Sequence, residues 1–269
     1  MSGVMTLGLE REGASGGDAN FRLDVGSVLS RSLRAWAGNL VPFSLVGLAV
    51  YSPVLLLLVV LALTGTHAGL SRIVDLVTNF LTMALSGAVT YGAFQHLHGR
   101  PARTADVLQV GLSKFGGVWV TAFLVGLATV VGLLFLIVPG LIMMIRYWVA
   151  IPAQVIESPG ATASLRRSEE LTAGNRWAIF ALALILGVGV FVVTLLAVGA
   201  LGVVLGMLGH SLAAGAEAGT NLGPWAQGAI IVLMIPVHCL TSVAPAVAYH
   251  DLRVGKEGID VDELLRVFE

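Results

Sequence analysis

VWVTAFLVGLATVVGLLFLIVPGLIMMIRYWVAIPAQVIE (Val118–Glu157) is forty residues long and holds one charge, Arg146, before its final glutamate. As a single α-helix it would be about 60 Å long at 1.5 Å per residue. That is close to twice the roughly 30 Å hydrocarbon core of a bilayer. Pro139-Gly140, near the middle, is a natural place to reverse, because proline cannot continue the backbone ladder and glycine accepts positive φ. The run therefore reads as two apolar helices, Val118–Val138 and Leu141–Ile156, joined by a tight turn. One element or two decides on which side of a membrane every later loop lies.

Working outward, Val41–Leu63 and Ile73–Phe94 are each long enough to cross, as is Trp225–Tyr249. Trp177–Leu208 exceeds one upright crossing, and tilt or a bend at Gly187, Gly189, Gly199 or Gly202 would absorb the excess. A core span over 177–200 is expected there. Charge tests the count. With six spans and the N-terminus inside, thirteen of the fifteen Lys and Arg residues are cytoplasmic, Arg72 alone is external and Arg146 lies within a span. Merging the Pro-Gly turn would put Arg166, Arg167 and Arg176 outside, against the positive-inside rule.

Composition agrees. Hydrophobic residues make up 57% of the chain and charged residues 12%, with a mean hydropathy of +0.91. A soluble domain is about 25% charged, so too little polar side chain is present to cover a water-exposed surface. The expected fold is an all-α integral membrane protein of the cytoplasmic (inner) membrane, multi-pass with both termini cytoplasmic. Residues 1–20 read as a disordered tail without the apolar stretch of a signal peptide, 21–250 as the membrane domain and 251–269 as a cytoplasmic tail. In that tail Asp260 and Glu263 suggest a short capped helix with Val261, Leu264, Leu265 and Phe268 on one face. A net charge of −1 gives no sign of nucleic-acid binding, and the lone Cys239 cannot form an intrachain disulfide.

A polar phrase occurs twice. LSRSLRAWAGNLV (Leu29–Val41) and LRRSEELTAGNRW (Leu165–Trp177) match at an offset of 136 residues in Leu29/Leu165, Arg31/Arg167, Ser32/Ser168 and Ala37-Gly38-Asn39/Ala173-Gly174-Asn175. A weaker echo pairs Ala88–Tyr91 with Ala246–Tyr249. The unit reads as an amphipathic interfacial helix, a span out and a span back, giving three helix hairpins, each with a cytoplasmic helix before it. The first such helix has Asp24 as N-cap and Val25, Val28, Leu29, Leu33 and Trp36 on one face; the second has Thr162 as a candidate cap, and the middle one is Thr104–Phe115. One reading of the repeat is topological. In the other, Arg31, Ser32, Arg167, Ser168, Asn39 and Asn175 form a pseudo-symmetric site for a phosphate or lipid headgroup, since Arg suits bidentate phosphate contacts.

Charges within spans are costly and therefore informative. Asp75 and Arg146 fall at similar outer depth, which suggests either an ion pair or an arginine that snorkels beside an aspartate that starts a helix. His238, two residues after Pro236, suits an interhelical hydrogen bond, and a proton relay or cavity lining is the alternative. His96 and His98 lack a third ligand, so no metal is expected, nor any cofactor. Neither a nucleophile elbow, a zinc-protease helix nor a phosphate loop occurs in the sequence.

The run Pro139–Phe180 resembles a family of uncharacterised prokaryotic membrane proteins, similar to the membrane domain attached to some glycerophosphoryl diester phosphodiesterases. The resemblance rests on Pro139-Gly140, Arg146, Pro152 before Glu157, and Arg167-Ser168 through Leu171, Gly174 and Asn175 to Trp177. It extends to the ending YHDLRVGKEGIDVDEL, with Tyr249, Asp251, Leu252, Arg253, Glu257, Gly258 and Asp260. The resemblance implies fold and topology more than activity, and the phosphodiesterase's catalytic barrel has no counterpart in the sequence. The expectation is a non-catalytic scaffold, accessory or regulatory protein in envelope or lipid-linked processes. Its partners would be membrane lipids and a protein partner or second copy. The alternative is a small-molecule or lipid transporter of flippase type.

Overall fold

The computed structural model describes residues 21–64, 70–100, 103–207 and 223–258; the N-terminal tail and the 260–268 helix lie outside them. The described residues are helical, without strands. In chain order the helices are α1 (Val25–Gly38), α2 (Leu40–Thr64), α3 (Ser71–Leu97), α4 (Thr104–Ser113), α5 (Phe115–Phe135), α6 (Ile137–Arg146), α7 (Ala150–Glu157), α8 (Ala161–Thr172), α9 (Arg176–Met207) and α10 (Pro224–Glu257). Six stretches are long and apolar enough to cross a membrane: α2, α3, α5, α6 with α7, α9 and α10.

Helices α3 and α10 form the centre. Both bury small residues, Ala84, Ala88 and Ala93 on α3 and Ala244, Ala246 and Ala248 on α10, and the Ser242 hydroxyl donates to Ser86 at 3.3 Å. Helix α2 closes on both. A Cβ at Gly92 would sit 2.7 Å from the Phe43 ring, and one at Gly47 would overlap Ile235.

The three short helices share one arrangement. Each lies antiparallel to the end of an apolar helix: α1 along α10 (Arg31 at Asp251, the Trp36 indole donating to the Pro236 carbonyl at 2.9 Å), α4 along α3 and α8 along α7. For α4, Val107 meets Gly92 and Gly111 meets Ala88. For α8, the Ser164 hydroxyl donates to Gln154 at 2.8 Å. Helix α1 starts as read, with the Asp24 side chain accepting from the Gly26 N–H at 3.0 Å. Its buried face is Val28, Ser32 and Ala35, however, and Leu33 is exposed. Helix α8 is preceded by Gly160 at φ +95°, and Thr162 does not cap it.

The Val118–Glu157 run differs from its reading in two respects, the first being that its second helix is interrupted at Tyr147–Val149, between α6 and α7. The chain reverses at Leu136, whose φ of −169° and ψ of 157° are extended. Pro139 and Gly140 lie inside the first turn of α6, where proline's missing N–H costs nothing. Their role is closeness, for a Cβ on Gly132 would come within 2.8 Å of the Gly140 Cα. Helix α9 runs unbroken past Gly187 and Gly199, and Cβ atoms there would meet open space.

Candidate functional site

Most of the described side chains that carry charge gather at one end of the bundle, with Arg72 and Asp75 at the other. Tyr249, Arg253 and Glu257 recur at every fourth residue of α10, which puts them on one helix face. Glu157 ends α7 and Arg167 sits mid-way along α8. The Arg167 guanidinium holds both carboxylates: its Nε is 2.9 Å from Glu157 Oε1, and its Nη atoms reach the two Glu257 oxygens at 2.5 and 2.7 Å. Such a forked contact is the geometry that suits guanidinium to carboxylate. Arg253 approaches the same pair at 3.4 and 3.3 Å. Its Nη1 also donates to the Tyr249 hydroxyl at 3.2 Å, which in turn donates to Glu157. Two arginines and two glutamates leave the cluster neutral. Burial alone would lower the Arg167 pKa; hydrogen bonds and charge from Glu257 and Glu157 outweigh it and raise it.

Two further pairs flank this cluster. Arg31 pairs with Asp251, beside His250 Nδ1 at 3.3 Å. The His250 ring stacks edgewise on His98, 5.6 Å between centroids, and His98 Nδ1 meets the Phe94 carbonyl at 2.6 Å. Arg146 pairs with Glu169 on α8. Lys256 closes the end of α8 by donating to the Glu170 and Ala173 carbonyls at 2.9 and 2.6 Å, as a cation at a helix C-terminus does.

The residues singled out by the repeat are brought to this end, but not as one pocket. Ser32 and Ser168 are fully buried. The Ser32 hydroxyl donates to its own helix at Val28, 2.7 Å away. The Ser168 hydroxyl donates to the Arg146 carbonyl at 2.9 Å and accepts the Val149 N–H at 3.2 Å. Asn39 bonds back to Ala35 at 2.9 Å. Asn175 clamps the N-terminal segment, accepting from Leu23 N–H at 2.7 Å and donating to the Phe21 carbonyl at 3.0 Å. With both arginines on carboxylates and both serines on backbone, an incoming phosphate would have to break existing bonds at each position. The six residues are a set of internal ties.

The Asp75–Arg146 pairing is also corrected. Asp75 accepts from the Gln227 amide at 2.9 Å, and Arg146 lies at the opposite, charged end. Spacing from Pro139-Gly140 along an upright helix does not give the depth of Arg146, because Ser168 and Thr172 hold its carbonyl beside α8. His238 is half-buried, and its carbonyl accepts from Ser242 at 3.0 Å. Sequence reasoning left Tyr249, Arg253 and Glu257 as residues of a resemblance or a tail. Their i, i+4 spacing was the signal that they form one face of a continuing helix.

Three clefts lie on the flanks, all lined by apolar side chains except at one rim. One of about 600 Å³ is formed by Val138, Leu141, Ile142 and Ile145 of α6 with Arg176, Trp177 and Phe180 of α9. A second, about 290 Å³, continues along α9, and a third of about 490 Å³ lies between α2 and α10 near Leu201. No family model, no curated protein and no solved structure matches this chain.

Proposed function

We propose that the protein is a non-catalytic multi-pass protein of the cytoplasmic membrane, a scaffold or accessory element in envelope or lipid-linked processes. Its charged end and both chain termini face the cytoplasm. The fold consists of three units, each a short helix at the cytoplasmic interface followed by a pair of apolar helices. The resemblance of Pro139–Phe180 and Tyr249–Asp260 to the membrane domain of glycerophosphoryl diester phosphodiesterases supports the same reading.

One observation carries it: among the described residues, the central arginines and carboxylates of the charged end are held by one another. Glu157, Arg167, Arg253 and Glu257 form a closed neutral set and Arg31 is taken by Asp251. Catalysis and ion-coupled transport need a group free to exchange a proton or ligand. A locked set instead holds helices in fixed relation, which suits a platform. Anionic lipid would be attracted by exposed cations such as Arg176 and Arg166, the latter held only loosely by Glu170 at 3.7 Å, in the manner of a basic juxtamembrane patch.

Native mass spectrometry of gently extracted protein tests this. Retained anionic phospholipid that falls in the Arg166→Ala/Arg176→Ala variant, or a bound protein partner, is the expected result. Accumulation of a solute or lipid flipping by reconstituted vesicles, abolished by substitutions in the bundle, would replace the scaffold with the transporter.

A further inference from the structure

The two clefts between α6 and α9 reveal how these helices cross. The first is lined by Val138, Ile142 and Ile145, spaced four and three residues apart on one flank of α6, and by Arg176, Trp177 and Phe180. The second is lined by Met144, on the other flank, and by Ala183, Leu184, Gly187, Val188 and Phe191. Leu141 and Phe180 line both. Helices side by side would share clefts running their full length. Here the α9 residues are sorted by position along its axis, first turn against later turns. Helix α6 therefore lies across α9, and the crossing is at Phe180.

Depth follows. Phe180 is four residues from the charged start of α9, about 6 Å of rise, and twenty-seven more residues of α9 extend beyond it. The reversal at Leu136 is five residues from Leu141, about 7.5 Å at the same rise. Together these put the turn within about 14 Å of the Arg176 level along the membrane normal, half of a roughly 30 Å core. Val138, two residues past the turn, shares a cleft with Arg176 itself. At its other end α5 meets the middle of α3, Val118 against Gly87 and Phe115 and Trp119 on the Phe80 ring.

The chemistry of the turn points the same way. Leu133-Leu134-Phe135-Leu136-Ile137-Val138 are each 48% to 80% exposed, and no polar side chain occurs between Thr129 and Arg146. The other links between apolar runs are polar: Thr64–Arg72 carries His67 and Arg72, and Gly209–Gly223 carries His210, Glu217 and Asn221. A turn surrounded by water would not present six bare apolar side chains in a row. The backbone also suits hydrocarbon. The reversal takes a single residue, Leu136 N–H bonds to the Gly132 carbonyl at 3.1 Å, and Pro139 has no N–H to satisfy.

We infer that α5 and α6 form a hairpin that enters and leaves the membrane on the charged side, with Leu133–Val138 seated among the acyl chains of that leaflet. Four helices, α2, α3, α9 and α10, then cross the bilayer. The number of positive residues on each side is unchanged, because the hairpin begins and ends on one side either way. The tip is a one-leaflet lipid-binding surface, and it rests on the membrane orientation proposed above but not on the scaffold role.

Single cysteines in a Cys239→Ala background test it with a membrane-impermeant maleimide applied to intact cells and to inside-out vesicles. His67→Cys should label only from outside and Arg166→Cys only from inside; any other pattern overturns the orientation, and with it this proposal's side. Leu136→Cys should label from neither side, yet react with a permeant maleimide. A bimane attached there should be quenched at least twofold more by mid-chain nitroxide lipid in the inner leaflet than in the outer. Labelling of Leu136→Cys from outside would show a full crossing, and labelling from inside a surface helix; both overturn the hairpin. Phe135→Cys, equally exposed, repeats the test if Leu136→Cys accumulates poorly.

Discussion

The two copies of the Arg-Ser…Ala-Gly-Asn phrase keep the same residues and spend them differently. Arg31 is 36% exposed and holds one carboxylate, Asp251; Arg167 is 21% exposed and holds two, Glu157 and Glu257, with Arg253 and Tyr249 behind them. Asn39 bonds four residues back within its own helix, whereas Asn175 reaches across 152 residues to Leu23. Ser32 bonds locally and Ser168 bridges two backbone groups of another segment. The phrase sets a local geometry, a short helix ending before an apolar one. What each copy stabilises depends on the surface it meets. The second copy's helix packs on α5, α7 and α10 and becomes the hub; the first packs mainly on α10, with lesser contacts to α9 and α3.

That asymmetry is measurable. Arg167→Ala should have the largest effect, about 2–4 kcal/mol. It leaves two carboxylates to share the more distant Arg253, and its partial exposure keeps the cost near the lower end for a buried pair. Arg31→Ala should cost less, about 1–2 kcal/mol, because Arg31 is itself 36% exposed although the Asp251 it leaves is buried. Thermal unfolding in detergent reads both; equal losses would remove the distinction between hub and outlier. Asn175→Ala should come next, about 2 kcal/mol, because it orphans the Leu23 N–H and frees the N-terminal segment. Limited proteolysis near Arg22 should accelerate in that variant and not in Asn39→Ala. Smallest is the serine pair. Ser168→Ala should cost about 1–2 kcal/mol through the unpaired Val149 N–H, and Ser32→Ala close to nothing, since its carbonyl partner keeps its helix bond.

The helices themselves were legible. The apolar runs 41–63 and 73–94 lie within about three residues of α2 and α3 at each end, and the expected span 177–200 starts with α9 but stops seven residues before its end, because lipid demands length and apolarity and both are visible in a string. Three things were not. Leu136 carries no turn signal, and Pro139 carries a strong one, although proline is at home in a first helical turn. His250–Glu257 looked like a polar tail, because the partners that let α10 continue, α1 and α8, lie more than eighty residues away. The direction of α6 was hidden most completely. A crossing helix and an in-plane one can share a composition, and only the neighbours along α9 separate them.

The central claim is that the repeated arginines tie the protein to itself and do not hold a phosphate. Native mass spectrometry of the Arg31→Gln/Arg167→Gln variant, on the fraction that remains monodisperse, measures this against the unsubstituted chain. The expected result is an unchanged complement of anionic lipid together with a lowered unfolding temperature. Loss of that lipid at unchanged stability would contradict it and return Arg31 and Arg167 to a headgroup site.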